Sequence, residues 1–348
     1  MSPYVPVILL SSLGLGTTIT FASSHWLLAW MGLEINTLAI APLMTHNHHP
    51  RATEAATKYF LTQATAAAMI LFASTTNAWM QGQWDITQLT HPIASAIAMT
   101  ALALKIGLAP MHFWLPEVLQ GIDLHTGLIL STWQKLAPFA LILQMAENTH
   151  PLMLMTLAVS STLIGGWGGL NQTQLRKILA YSSIAHLGWM ILVSQMAPQL
   201  TLIALATYIL MTTAMFLTLK KMNSTKTITL ATAWTKTPAL AALTSFTLLS
   251  LGGLPPLTGF MPKWLILQEA TSQGFIITAT TMAMAALLSL YFYLRLTYAM
   301  ALTLSPHTTN LTAPWRTRTK QPTLHLSTFI IMATCLLPLT PAIMALMT

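Results

Sequence analysis

The chain has 348 residues, of which 54% are hydrophobic and only 6% charged, with a mean hydropathy of +0.64. Soluble domains carry about 25% charged residues, so this sequence lacks the polar surface that water requires and is read as an all-α membrane protein. That excludes a soluble enzyme, and no nucleic-acid partner is expected despite the net charge of +8.

A membrane helix needs about 20 apolar residues, and about eleven stretches are predicted to span in turn. They are 3–22, 27–44, 58–78, 92–118, 122–145, 151–171, 178–196, 200–219, 238–270, 274–298 and 324–346. No signal or transit segment precedes the first, and no soluble domain is visible, so residues 1–348 are expected to form one membrane domain. The second stretch holds Glu34 at mid-span. The fourth is too long for a simple span and carries Lys105 followed by Gly107, Pro110, His112 and Pro116. The fifth holds Lys135 and Pro138, and the seventh His186. The ninth, again too long, runs through Gly252, Gly253, Pro255, Pro256, Gly259 and Pro262 to Lys263. The last contains Cys335, whose solitude excludes an intrachain disulfide and iron–sulfur ligation by this chain.

Loop charges predict sidedness. Arg51 and Lys58, then Arg176 and Lys177, then Lys220, Lys221, Lys226 and Lys236, then Arg316, Arg318 and Lys320 fall in alternate loops. The intervening set carries Asp85, Glu147 and Glu269 without Lys or Arg. The positive-inside rule places the first set, and with it the N-terminus, on the inner side, which is the matrix of a mitochondrion. The C-terminus then lies opposite, in the intermembrane space.

An internal repeat accompanies this alternation. GLAPMHFWLPE at 107–117 matches GLPPLTGFMPK at 253–263 in Gly107, Leu108, Pro110 and Pro116 against Gly253, Leu254, Pro256 and Pro262. The copies lie five spans apart, and an odd offset reverses orientation. The expectation is therefore two discontinuous helices in inverted five-helix repeats, about 1–145 and 151–298, with an extra C-terminal helix at 324–346. Broken helices at matching places commonly mark an ion path, and freed backbone groups at each break are expected to hold water.

Chemistry falls to the buried charges. A charge at the bilayer centre costs about 2.5–3.5 kcal/mol, which makes Glu34, Lys105, Lys135 and Lys263 candidate proton carriers. Lysine titrates readily when buried, whereas arginine stays charged, and no Arg is placed at mid-span depth. His112 and His186 are candidate relays, or plain hydrogen-bonded core histidines. Glu34 and Lys105 are expected to approach across spans two and four. Lys105 should end a half-helix, where the dipole favours its charge, and Lys263 should begin one, where it does not. Glu117 and Asp123 read as interfacial. The run HNHHP at 46–50 reads as a solvated loop, so no metal site is expected. The GGWGG run at 165–169 lies in a span and is no dinucleotide fingerprint. There is no P-loop and no nucleophile with its base.

The stretches LLAWMGLEINTLAIAPLM, ALKIGLAPMHFWLPEVLQG, STWQKLAP, RKILAYSSIAHLGWM and SLGGLPPLTGFMPKW together resemble the antiporter-like, proton-translocating membrane subunits of mitochondrial NADH:ubiquinone oxidoreductase (complex I), in their vertebrate form. The resemblance implies a core membrane-arm subunit of the mitochondrial inner membrane, with Glu34, Lys105, Lys135 and Lys263 inheriting places on the family's polar axis. It implies partners among the other antiporter-like and small core membrane subunits, the accessory subunits and lipids. It implies no cofactor on this chain, with NADH, FMN, iron–sulfur clusters and ubiquinone handled by neighbouring chains. The animal form lacks three N-terminal helices of its bacterial counterparts, in keeping with eleven spans. Two other readings stay open: a stand-alone cation/proton antiporter of the same fold, and a purely structural membrane subunit.

Overall fold

The computed structural model describes residues 4–46, 48–235, 237–302 and 323–347. The expected matrix-facing segment 305–322 lies outside these residues. Among them, regular structure is helical, and each expected span falls on a helix or on a broken pair. In order these are α1 (Tyr4–Ala22), α2 (Trp26–Met44), α3 (Pro50–Gln81), α4 (Pro92–Ile106) with α5 (Trp114–Gly121), and α6 (Leu124–Ser131) with α7 (Trp133–Met145). There follow α8 (Pro151–Gly168), α9 (Leu175–Val193), α10 (Pro198–Met222), the short α11 (Thr227–Ala231), α12 (Pro238–Gly252) with α13 (Phe260–Ser272), α14 (Ile276–Leu302), and α15 (Leu324–Cys335) with α16 (Thr340–Met347). Six of these rods are long and apolar enough to cross a bilayer by themselves: α1, α2, α6 joined to α7, α8, α10 and α14. The last expected span is not straight, because its two halves are bent by 67° where the chain runs through Pro338.

Local sequence explains where helices start. Five of them, α3, α4, α8, α10 and α12, open on proline, whose fixed φ suits the first helical turn and whose missing N–H is not needed there. Histidines supply several caps. The Nδ1 atoms of His25, His49, His91 and His150 accept from the backbone N–H of Leu27, Arg51, Ala94 and Leu152 at 3.2–3.4 Å. His49 and Pro50, at the end of the HNHHP run, therefore start α3. Among the described residues, no group of three metal-ligating side chains comes together.

The chain divides into two compact units, residues 1–161 with 190–198 and residues 162–189 with 199–348. In the first, α2 packs against α1 and α3, and α7 against α1 and α4. The α1–α2 crossing needs glycine. A Cβ on Gly32 would meet Thr20 Cγ2 at 2.6 Å and the Gly16 carbonyl at 2.8 Å, so the two backbones touch there. The loop before α2 pairs with the loop before α4 through an antiparallel bridge between His25 and Asp85, with His25 stacked on Trp84 at 5.5 Å. In the second unit, the loop before α9 pairs in the same way with the loop before α11, Gln174 against Lys226. Gly165 and Gly168 of the GGWGG run let α9 press against α8, at Ala185 and Tyr181. Arg295, seven residues from the end of α14, donates to the carbonyls of Leu170 and Gln172 and so anchors the α8–α9 turn. Hydropathy alone had hidden this arginine inside the tenth span.

Gly32→Val is expected to destabilise the chain by about 1–3 kcal/mol through overpacking. Gly14→Val on α1, where nothing lies within 4 Å of an added Cβ, should cost far less. Thermal unfolding of the two variants in detergent compares them directly, and equal losses would refute the close crossing.

Candidate functional site

Both Gly/Pro stretches break their helices, and both do so by the same device. Gly107 and Gly253 adopt left-handed conformations, with φ of 86° and 80°, which favour glycine because it has no Cβ. In the first break the N–H groups of Gly107 and Leu108 donate to the Ala103 carbonyl at 2.9 Å. In the second, those of Gly253 and Leu254 donate to the Leu249 carbonyl at 3.1 and 3.4 Å. This is the Schellman-type helix end. The helices resume at Trp114 and Phe260, equivalent positions of the repeat.

A break inside a membrane frees carbonyls that water cannot reach cheaply. In the first break, side chains take them. Trp114 Nε1 donates to the Leu104 carbonyl at 2.9 Å, Gln63 Nε2 to that of Lys105 at 3.4 Å, and Ser160 Oγ to that of Ala109 at 3.3 Å. His112 Nδ1 faces the Pro110 carbonyl at 3.3 Å. In the second break, Lys263 Nζ donates to the Gly252 carbonyl at 2.9 Å. These carbonyls thus have protein donors. The same contact corrects the placement of Lys263. Its Cα lies in the first turn of α13, but its long stem carries the ammonium back to the last turn of α12. There the helix dipole favours a cation.

The two lysines of the first unit line one cavity. Lys105 sits in the last turn of α4 and Lys135 near the start of α7, 6% and 2% exposed. The α6–α7 kink precedes Lys135, where Thr132 Oγ1 donates to the Leu128 carbonyl at 2.7 Å. Pro138 then removes the usual intrahelical donor to the Gln134 carbonyl. Lys105 and Lys135 line one internal cavity together with Asn36, Thr37, Tyr59, Gln63 and Gln134. The cavity offers about 20 Å³ to a water molecule, enough for about one. Sequence reading passed over Asn36, Gln63 and Gln134, although each is an amide inside an apolar span.

Other expected residues stand apart from this cavity. Glu34 is half-buried and accepts from Thr37 Oγ1 at 2.9 Å. It acts electrostatically on Lys105 and on Tyr59, but among the described residues no salt bridge joins it to Lys105. The close pair expected from two opposite mid-span charges is therefore a through-space interaction. His112 is buried in the first break with its ring against Phe113. His186 lies in the second unit, Nδ1 facing the Ser182 carbonyl at 2.7 Å and its ring 5.8 Å from Tyr208. Glu117, expected at an interface, is exposed and shares Lys58 with Glu54, both at 2.8 Å.

A family profile described as NADH:quinone oxidoreductase/Mrp antiporter, TM, matches residues 23–289, and one described as NADH dehydrogenase subunit 2 C-terminus matches 290–344. The NADH-ubiquinone oxidoreductase chain 2 of Carassius auratus is 74% identical over the whole of both chains, and that of Danio rerio 69% over the whole of both. Among solved structures, a chain of respiratory complex I from Thermus thermophilus with bound aureothin superposes with a TM-score of 0.85 at 28% identity, covering 98% of this chain and 79% of that one. A chain of an Mrp complex from a Dietzia species shares the fold at 18% identity, with a TM-score of 0.76 over 86% of this chain and 61% of that one.

Lys263→Met removes the donor to the Gly252 carbonyl and should cost about 1–3 kcal/mol. The thermal midpoint of the purified protein should fall by more than it does for Lys220→Met, at the end of α10. Equal midpoints for the two variants would show that the contact stabilises nothing.

Proposed function

Because the chain belongs to the family of NADH-ubiquinone oxidoreductase chain 2, we propose that Lys105 and Lys135 carry the protons that this subunit moves, with Glu34, Lys263, His112 and His186 on the same polar route. The chain is an antiporter-like membrane-arm subunit of the proton-translocating NADH:ubiquinone oxidoreductase. It works as a multi-pass part of a multi-subunit complex. What supports the assignment of residues is the placement of two buried lysines on one water-sized polar cavity.

The chemistry follows from electrostatics. Were the ammonium groups of the two lysines brought close at this cavity, a proton arriving on one would raise the cost of keeping a proton on the other. Water in the cavity accepts from one lysine and donates to the next. Glu34 attracts positive charge toward Lys105 through space. A change in that attraction would shift the proton along the series.

The finer assignments belong to the same proposal. The membrane is the mitochondrial inner membrane, with the N-terminus in the matrix and the C-terminus in the intermembrane space. Partners are the other antiporter-like and small core membrane subunits, accessory subunits and lipids. NADH, FMN, iron–sulfur clusters and ubiquinone are handled by other subunits. Two inverted repeats, about 1–145 and 151–298, are supported by the shared helix-end motif and by a loop bridge in each unit. A large apolar side-chain area on outer faces, including Leu61, Phe72, Met80 and Ile277, suits lipid or neighbouring subunits.

The test uses the assembled complex in sealed vesicles. Lys135→Met and Lys105→Met should each lower NADH-driven proton uptake by about tenfold, equivalent to about 1.4 kcal/mol on the barrier. Glu34→Gln should slow both uptake and NADH oxidation, while native gels show the complex intact. Lysine variants that assemble and pump as the parent does would overturn the assignment. For topology, protease added from the matrix side should cut within 220–237. Cutting only from the opposite side would reverse it.

A further inference from the structure

The cavity beside Lys105 and Lys135 has a third buried polar wall that no charge accounts for. Asn36 lies two residues beyond Glu34 on α2, on the edge of the cavity, and is 2% exposed. Neither its Oδ1 nor its Nδ2 has a hydrogen-bond partner among the described residues. Lys105 Nζ and Gln134 Nε2, on the same cavity, also lack one. Three residues that line a void admitting about one water thus carry buried polar atoms without a partner among the described residues, and a water can accept from a lysine and hydrogen-bond an amide.

Asn36 is also held in place. Gly16 of α1 packs directly against its carboxamide, and a Cβ at Gly16 would overlap Asn36 Oδ1. The absence of a side chain at Gly16 is what leaves room for the amide beside α1. Leaving such an amide buried and unmet is costly, so its retention at this wall has to be offset by something that it binds.

We propose that Asn36 is a positioning residue for proton transfer: its carboxamide, seated by Gly16, orients a water against Lys105 in the cavity that Lys135 shares. The inference rests on the lysine reading above. An amide suits this role because it accepts and donates hydrogen bonds without binding a proton near neutral pH. It orders the water and never traps the charge in transit. A carboxylate in the same place would compete with the lysines for the proton.

The test compares variants in the assembled complex, reading proton uptake per NADH oxidised. Asn36→Leu keeps the volume and removes the polarity; Asn36→Ser keeps a hydroxyl and leaves room for a further water. The expected result is an uptake ratio reduced severalfold in Asn36→Leu and largely retained in Asn36→Ser. A packing role predicts the reverse order, so a pumping Asn36→Leu with a defective Asn36→Ser overturns the proposal, as do two variants that behave alike. Gly16→Ala alters no cavity-lining residue, although its Cβ would also meet the Gly32 carbonyl at 2.9 Å; with the complex shown intact on native gels, it should lower the ratio by displacing the amide. It decides the matter if Asn36→Leu fails to assemble, and normal pumping by Gly16→Ala then overturns the proposal. Lys135→Met is measured in the same series. If it pumps normally, the lysine assignment falls. If it fails while Asn36→Leu pumps normally, only the role of Asn36 falls.

Discussion

The structure turns on the obligation of every main-chain carbonyl inside a membrane to find a donor. A continuous helix meets that obligation internally; α4–α5 and α12–α13 do not, because Gly107 and Gly253 end the first half of each. The freed carbonyls recruit donors from elsewhere. In the first unit these come from α3 through Gln63, from α5 through Trp114 and from α8 through Ser160. Each donor fixes a helix around the gap. The polar interior around Lys105 is thus a by-product of satisfying the broken backbone.

Much of this was legible in the residues. Long apolar runs separated by basic loops located each long helix, though α3 starts at Pro50, eight residues before the expected 58, because its first turns are polar. The repeat of Gly-Leu-x-Pro located both breaks. Mid-span charges picked out Lys105 and Lys135, which the fold brings to one cavity. What sequence did not disclose was direction. Helices that are apolar all round have no polar stripe to show which face looks inward. Nothing in LLAWMGLEINTLAIAPLM indicates that Asn36 reaches the cavity while Glu34, two positions earlier, bonds to Thr37 instead. Side-chain reach was the other blind spot. Lys263 is numbered into the start of α13 but delivers its charge to the end of α12, and Arg295 reaches the α8–α9 turn from well inside α14.

The two breaks use one helix-end device with different side chains. Position 117 of the first motif is glutamate, exposed and paired with Lys58; its counterpart 263 is lysine, turned back onto the break. Position 105 is lysine where the second half has Leu251. In the first half the cation precedes the interruption and tryptophan closes it. In the second, the cation itself closes it. The likeness of the two helix ends therefore does not extend to the charges. Each half places its lysine according to which carbonyl its own neighbours leave free.

The bond from Lys263 to the Gly252 carbonyl has a property that neither tryptophan nor arginine could reproduce in that place. An ammonium carries three N–H donors, and the neutral amine left after it releases a proton still carries two. The same side chain can therefore change its charge while continuing to hold the carbonyl. Structural support and charge state are uncoupled at that atom. A change of protonation at Lys263 would therefore leave the second break closed and its helix end held.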